Sequence, residues 1–267
     1  MAKNDWTTII SGGICTSGTQ MDLRPLDRVR VSSYHIGSGA IVRTGALNSL
    51  YDIAVDGTLH VRDTLITKMT VPTGGVSMWG SASCSRVLVG GHLDCSDKTV
   101  LTELSVVNGG RVAVQGSAFV RDVTVCSGGK LDMYGTTSAH RMTISSGASV
   151  IAYGQADLVS AFVCSGGYLE CWDDTIASDV YIEDGANFMC HDGAEVIYQR
   201  DSPQKPIDFG VSAACQSTNQ GLVDIYRAKV TVYPQGLVEI DLPVSMQKDF
   251  AVDRIHINWK DTKHDKR

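Results

Sequence analysis

The stretch from Asn108 to Asp192 repeats itself every nineteen residues, and this period constrains the fold more than any other feature of the chain. A fixed period in this range is the signature of a solenoid, in which each repeat forms one structural unit. We place the anchor of each repeat at the second residue of a small-residue pair. The five anchors are Gly110, Gly129, Ala148, Gly167 and Ala186.

The residues around each anchor alternate between apolar and polar, which is typical of β-strands. Apolar side chains stand two and four residues after the anchor, for example Val112 and Val114. Six after the anchor stands Gly or Asp, which tolerates the left-handed backbone of a sharp corner. A second apolar pair, such as Val123 and Val125, precedes the next anchor. Each repeat therefore holds two strands and has no room for a helix.

This arrangement predicts an all-β fold, a right-handed parallel β-helix in which each repeat is one turn. Each strand pairs with its equivalent in the next turn about 4.8 Å away. Right-handedness follows the usual sense of parallel crossovers. With irregular ends included, the pattern predicts about ten to eleven turns and a rod on the order of 50 Å long.

The repeat also divides the chain. Residues 51–198 form the regular repeats, and their first anchors are spaced by seventeen residues, with the shortening in the returning corner. Residues 1–50 match more loosely and are predicted to hold N-terminal turns, one with Gly12 and Ile14 and one with Gly39 and Ile41, around a loop or cap at 22–30. Residues 199–220 are predicted to form a loop or junction, because 199–206 are polar and contain two prolines. Residues 221–259 predict further turns, one containing Val238, and 260–267 a polar tail.

The eight cysteines do not form a pattern typical of a metal site. Cys95, Cys171 and Cys190 occupy the inward position four after the anchor, so we interpret them as buried thiols. Cys171 and Cys190 would stack one turn apart, and this spacing is short enough for a disulfide between them. Cys126 and Cys164 occupy an outward position two turns apart. No cofactor and no metal ion is predicted.

Several function classes are disfavoured by the sequence. The net charge of −6 and the absence of a basic stripe argue against nucleic-acid binding. No stretch is apolar enough to span a bilayer, and the first residues lack the pattern of a secretory signal. The glycine-rich phrases are followed by strands where a phosphate-binding loop would need a helix, which argues against nucleotide binding.

The phrases VVNGGRVAVQGSA, VCSGGKLDMYGTT, ISSGASVIAYGQA and VCSGGYLECWDDT resemble the AIDA-type repeats of autotransporter adhesin passenger domains over about residues 51–196. Members of that family are extracellular bacterial β-helices that mediate adhesion or aggregation. The resemblance implies a surface or extracellular location, although the sequence shows no signal peptide or β-barrel translocator. It is also compatible with a viral protein that contains the same repeat, such as a phage tail component.

The position five after the anchor carries the candidate binding residues, because it faces outward and is rich in aromatic side chains. They are Trp79, Tyr134, Tyr153, Trp172 and His191. An exposed aromatic ladder can stack on sugar rings or contact another chain. Alternatively, like residues on successive turns stack on one another and stabilise the solenoid.

Three functions follow from these observations. The first is a non-catalytic structural or adhesive protein that binds glycans, proteins or itself. The second is a polysaccharide-degrading enzyme or tailspike, for which Asp132 and Glu170 are the outward carboxylates, although they stand two turns apart. We interpret Asp173, beside Asp174, as a corner residue. The third is a building block that stacks end to end through its terminal turns.

Overall fold

The computed structural model describes residues 8–26, 28–183, 185–191, 193–198, 229–232 and 238–241. Within these ranges every regular element is a β-strand, so none of them holds a helix that could cross a membrane. The all-β prediction is therefore confirmed. In chain order the strands are β1 (Thr8–Cys15), β2 (Gln20–Asp22), β3 (Val29–Ile36), β4 (Ile41–Arg43), β5 (Ser49–Val55), β6 (Thr58–Arg62), β7 (Leu65–Val71), β8 (Gly75–Trp79), β9 (Ser83–Val89), β10 (His92–Cys95), β11 (Val100–Val106), β12 (Arg111–Val114), β13 (Phe119–Val125), β14 (Lys130–Met133), β15 (Ser138–Ile144), β16 (Ser149–Ala152), β17 (Asp157–Val163), β18 (Tyr168–Cys171), β19 (Ile176–Ile182), β20 (Asn187–Cys190), β21 (Glu195–Tyr198), β22 (Lys229–Val232) and β23 (Val238–Asp241).

The strands form two parallel sheets that share every turn of a solenoid. The odd-numbered strands β1 to β21 form an 11-stranded sheet, which we call the long-strand sheet. The even-numbered strands β2 to β20 form a 10-stranded sheet, the short-strand sheet. Neighbours within each sheet are two strands apart along the chain, so one turn contributes one strand to each sheet. The solenoid therefore has about ten turns, as the nineteen-residue period predicts.

The core lies between the two sheets and consists of the inward residues that the repeat predicts. Val112, Leu131, Val150 and Leu169 are no more than 1% exposed, and so are Val106, Val125, Ile144 and Val163. Each stacks on its equivalent one turn away because the parallel ladders keep the turns in register. Burying one such side chain stabilises the fold by about 1.5–3 kcal/mol. The apolar columns therefore hold the two sheets together along the whole rod.

The corner before each short strand explains the small-residue pairs. The first residue of the pair is a glycine with φ between 72° and 81° in all five central repeats, which is the left-handed region that glycine favours. The second residue is confined for a different reason. A Cβ added to Gly129 would lie 2.7 Å from the carbonyl oxygen of Val106 in the preceding turn. This position therefore accepts only the smallest side chains, such as Ala148 in the next turn.

The corner after each short strand confirms the interpretation of Asp173. Asp173 has φ 55°, and Gly116, Gly135 and Gly154 at the equivalent position have φ 76–77°. The Asp173 carboxylate also accepts a hydrogen bond from the Gly154 backbone N–H at 2.9 Å. Asp173 thus stabilises the corner of its own turn and that of the turn before it.

The long strands contain a third corner that the sequence pattern did not predict. Near the middle of each long strand from β3 to β19 lies a non-glycine residue with φ between 51° and 64°. As a result, Val120 and Val123 of β13 both point inward although they are three residues apart. We call these residues the bend column. Its members are Ser33, Asp52, Lys68, Arg86, Glu103, Asp122, Arg141, Ser160 and Asp179.

Ion pairs between neighbouring turns stabilise the bend column. The Arg141 guanidinium donates to both carboxylate oxygens of Asp122 at 2.5 and 2.6 Å, and Lys68 lies 2.6 Å from Asp52. The hydrogen bond from Arg141 lowers the pKa of Asp122 below its usual value. A left-handed conformation costs an L-residue about 1–2 kcal/mol, and these pairs offset part of that cost.

The cysteines of the described residues are all free thiols. Cys95 and Cys171 are fully buried, as predicted, and Cys190 is partly buried. Cys171 and Cys190 are register partners in β18 and β20, yet no disulfide joins them. Burial raises the pKa of Cys190 to about 12, so its thiolate is rare at neutral pH.

The N-terminal turns belong to the solenoid, but their register differs from the prediction. Ile41 pairs with Thr58, which places Ala40 at the anchor and Val42, not Ile41, in the core. In β1 the buried residue is Cys15, whereas Ile14 is 63% exposed. The cause is that neighbouring residues such as Ile41 and Val42 are both apolar, so either of them fits the core. The pattern alone therefore does not show which one faces inward.

The described C-terminal residues also differ from the predicted parallel turn. Val238 and Ile240 lie in β23, which pairs antiparallel with β22 in a separate two-stranded sheet. Only five residues separate these strands, and a parallel pair needs a crossover of a dozen or more. The remaining residues of the predicted segments 199–220, 221–259 and 260–267 lie outside the described ranges, so those domain boundaries stay predictions.

The first prediction tests the core register. Val114→Asp places an unpaired carboxylate in the apolar column, and we expect it to lower the free energy of unfolding by about 3–5 kcal/mol or to prevent folding. Gln115→Asp, at the next and exposed position, should change it by less than about 0.5 kcal/mol. Urea denaturation followed by circular dichroism measures both. Equal effects of the two substitutions would contradict the inward assignment of Val114.

Candidate functional site

From β8 to β20, the outer face of the short-strand sheet carries three columns of side chains, and each column contains one residue from each of these seven turns. The basic column consists of Gly75, His92, Arg111, Lys130, Ser149, Tyr168 and Asn187. The acidic column consists of Ser77, Asp94, Ala113, Asp132, Ile151, Glu170 and Met189. The aromatic column follows at the strand ends and consists of Trp79, Ser96, Gln115, Tyr134, Tyr153, Trp172 and His191.

The aromatic column contains a continuous stack over four turns. Tyr134 and Tyr153 have ring centroids 5.2 Å apart and planes within 3°. Tyr153 and Trp172 are 6.2 Å apart at 17°. Trp172 and His191 are 3.3 Å apart at 9°. The parallel ladder sets this geometry, because register partners lie one turn apart and their side chains leave the sheet in the same direction.

The five predicted binding residues differ in how much surface they offer. Tyr134, at the start of the stack, is 40% exposed, while Tyr153 and Trp172 are partly buried. His191 is only 6% exposed, so it ends the stack as an interior group. Trp79 lies apart from the stack and meets His60 edge-on at 6.1 Å.

A groove lies between Trp79 and Tyr134, and we call it the Trp79–Tyr134 groove. Its volume is about 400 Å³. The polar and small side chains that line it between the two aromatic walls are Ser77, Asp94, Ser96, Ala113 and Gln115. The sequence signal for it is the interruption of the aromatic column by the smaller residues Ser96 and Gln115 on two consecutive turns, which does not by itself indicate a cavity.

The carboxylates of the acidic column have separate environments. Asp94 contacts His92 at 3.0 Å, and Ala113 separates it from Asp132. Asp132 is partly buried, and this burial raises its pKa, whereas the charges of Lys130 and Arg111 act in the opposite direction. Ile151 stands between Asp132 and the next carboxylate of the column.

That next carboxylate, Glu170, belongs to a buried polar cluster at the end of the stack. The His191 Nε2 lies 2.6 Å from one Glu170 oxygen, and the Tyr168 hydroxyl donates to the other at 2.6 Å. The Glu170 side chain is 12% exposed and that of His191 5%. Burial and the hydrogen bond to Glu170 raise the pKa of Tyr168 well above its usual value. Both Glu170 oxygens are therefore engaged by protein groups.

Comparison with known proteins does not assign a family. No family model and no curated protein sequence matches the chain. Among solved structures, the TibC-catalysed hyper-glycosylated fragment of TibA is similar, at 15% identity and a TM-score of 0.37. The match covers 73% of this chain and 98% of that fragment. A likeness at this level carries no argument about function.

The second prediction concerns the buried cluster. Glu170→Gln removes the charge that His191 contacts, and we expect the free energy of unfolding to fall by about 1–3 kcal/mol. Glu103→Gln, an exposed residue of the bend column, is the matched control and should change it by less than about 0.5 kcal/mol. Thermal or urea unfolding measures both variants. If Glu170→Gln were as stable as the control, the cluster would not contribute to stability.

Proposed function

We propose that the protein is a non-catalytic adhesive β-helix that binds a glycan along the outer face of its short-strand sheet. The observation that carries this proposal is the Trp79–Tyr134 groove, which combines two aromatic walls with a polar floor. Sugar rings present an apolar face and a rim of hydroxyls, so they need an aromatic surface and hydrogen-bonding groups together. This face supplies both.

The dimensions of the groove suit an oligosaccharide. Trp79 and Tyr134 are three turns apart along the aromatic column, which is roughly 14 Å at about 4.8 Å per turn. A chain of a few sugar rings spans this distance, and Tyr153 continues the aromatic surface beyond Tyr134. Asp94, Ser96 and Gln115 lie between the walls and offer donors and acceptors to hydroxyl groups.

The rigidity of the face favours binding as well. Both walls are tied to the preceding turn by backbone hydrogen bonds: the Tyr134 N–H donates to the Val114 carbonyl at 2.8 Å, and the Trp79 carbonyl accepts from the Asp63 N–H at 3.3 Å. A site on such a backbone loses little conformational entropy when a ligand binds. The resemblance of the repeats to extracellular AIDA-type adhesins agrees with this role and suggests a surface location.

Self-association is the second candidate, and the first turn of the solenoid favours it. Ile9 and Ile14 of the edge strand β1 are 65% and 63% exposed. An exposed apolar edge strand can pair with a second copy of the chain.

The third prediction tests the glycan site. Trp79→Ser and Tyr134→Ser should each weaken binding of the best ligand from a glycan array roughly 2- to 10-fold, because each removes a stacking surface. The triple replacement of Tyr134, Tyr153 and Trp172 by Ser should weaken it further. Phe162→Ser, in a stacked pair with Tyr181 on the long-strand sheet, is the control and should leave affinity unchanged. Isothermal titration calorimetry measures the affinities. If Trp79→Ser, Tyr134→Ser and the triple replacement all left the affinity for the glycan unchanged, the glycan would not bind at this site.

The fourth prediction tests self-association. If β1 pairs copies end to end, light scattering after gel filtration should show a mass that rises with protein concentration. Ile9→Lys together with Ile14→Lys should return the protein to a monomer, because both replacements charge the pairing surface. A monomeric mass at every concentration for the unmodified protein would rule out this second function.

A further inference from the structure

The basic column places three basic residues, His92, Arg111 and Lys130, on consecutive turns beside the Trp79–Tyr134 groove. His92 is the register partner of Arg111, and Arg111 is the register partner of Lys130. All three are exposed. His92 contacts Asp94 at 3.0 Å. Arg111 and Lys130 form no ion pair with any other residue that the structure describes.

The two cations have no carboxylate between them in the basic column. Like charges directly opposite each other on neighbouring strands repel, and Arg111 and Lys130 are about 4.8 Å apart along the column. The bend column also places like charges on neighbouring turns, at Lys68 and Arg86, but there Lys68 has an ion-pair partner, Asp52, at 2.6 Å. Asp132, whose ionised form both cations favour, is partly buried and forms no ion pair with either of them among the described residues.

Arg111 lies beside the groove, on the same strand as Ala113, which lines it. Along β12, Arg111 and Ala113 point to the same face, roughly 7 Å apart, and Gln115 follows at the far side. Ala113 lines the groove and its side chain is a single methyl group. A long guanidinium side chain can therefore lie across Ala113 and reach a ligand on the groove floor.

We propose that the glycan is acidic, and that Arg111 and Lys130 bind its anionic group while its rings stack against the aromatic walls. The proposal rests on the glycan-binding function above. Guanidinium and ammonium groups bind carboxylate, sulfate and phosphate oxygens by charge-assisted hydrogen bonds. An anion placed between two in-register cations also removes their mutual repulsion, so the unpaired cations are explained by the ligand.

The experiment compares acidic glycans with neutral forms of the same chains. Oligogalacturonate and hyaluronan oligosaccharides are tested beside their carboxyl-reduced counterparts, and a carrageenan oligosaccharide supplies a sulfate in place of the carboxylate. We expect the protein to bind at least one acidic form roughly 10-fold more tightly than its neutral counterpart. Tight binding of the carrageenan alone would identify the anion as a sulfate, and tight binding of a uronate would identify a carboxylate.

Variants assign the effect to the two cations. Arg111→Gln and Lys130→Gln should each remove most of the preference for the acidic form and leave binding of the neutral form unchanged. Arg86→Gln, an exposed cation on the long-strand sheet, is the control and should change neither. Since the cations repel each other, Arg111→Gln and Lys130→Gln should also unfold at the same or a higher temperature than the unmodified protein.

The outcomes separate this inference from the proposed function. Equal binding of acidic and neutral forms, or an unchanged preference in both glutamine variants, would overturn the acidic-glycan inference while the glycan site itself stands. A clear loss of stability in either variant would show that the cation is structural and would also overturn it. If no glycan of either form binds, the proposed function fails as well.

Discussion

The parallel backbone ladder is the interaction on which the rest of this structure depends. Each strand donates to and accepts from its equivalents in the neighbouring turns, as Val112 does in its pairing with Leu93 and Leu131. A ladder of this kind keeps equivalent positions about 4.8 Å apart along the rod. Every side chain therefore meets the side chain one repeat away, and the chemistry of the protein is organised in columns.

Different interactions join the successive side chains in each column. Inward columns hold apolar residues, for which stacking removes surface from water. In the bend column, Arg141 stabilises Asp122 in the turn before it. The aromatic column stacks rings from Tyr134 to His191. In the basic column, Arg111 and Lys130 lie on neighbouring turns, and neither forms an ion pair with a residue that the structure describes.

Most of the fold could be predicted from the sequence because the period, the small-residue pairs and the apolar positions all indicate the same turn. The nineteen-residue spacing correctly predicted that Val114 and Leu131 face the core. The prediction was wrong where the pattern is ambiguous, at Ile41, because a shift by one residue exchanges the two faces of a strand. The bend column was missed because its members, such as Lys68 and Arg86, are not the residues that usually mark a left-handed corner.

The sequence by itself determined which side chains form the aromatic column, because a fixed period places Tyr134, Tyr153 and Trp172 on the same face of successive turns. Only the tertiary structure decided what these positions do. It buried His191 against Glu170, and it left a groove between Trp79 and Tyr134. The physical reason is that a period specifies direction and spacing along the rod. Burial, cavity volume and the pairing of charges depend on the sizes and rotamers of side chains from several turns at once.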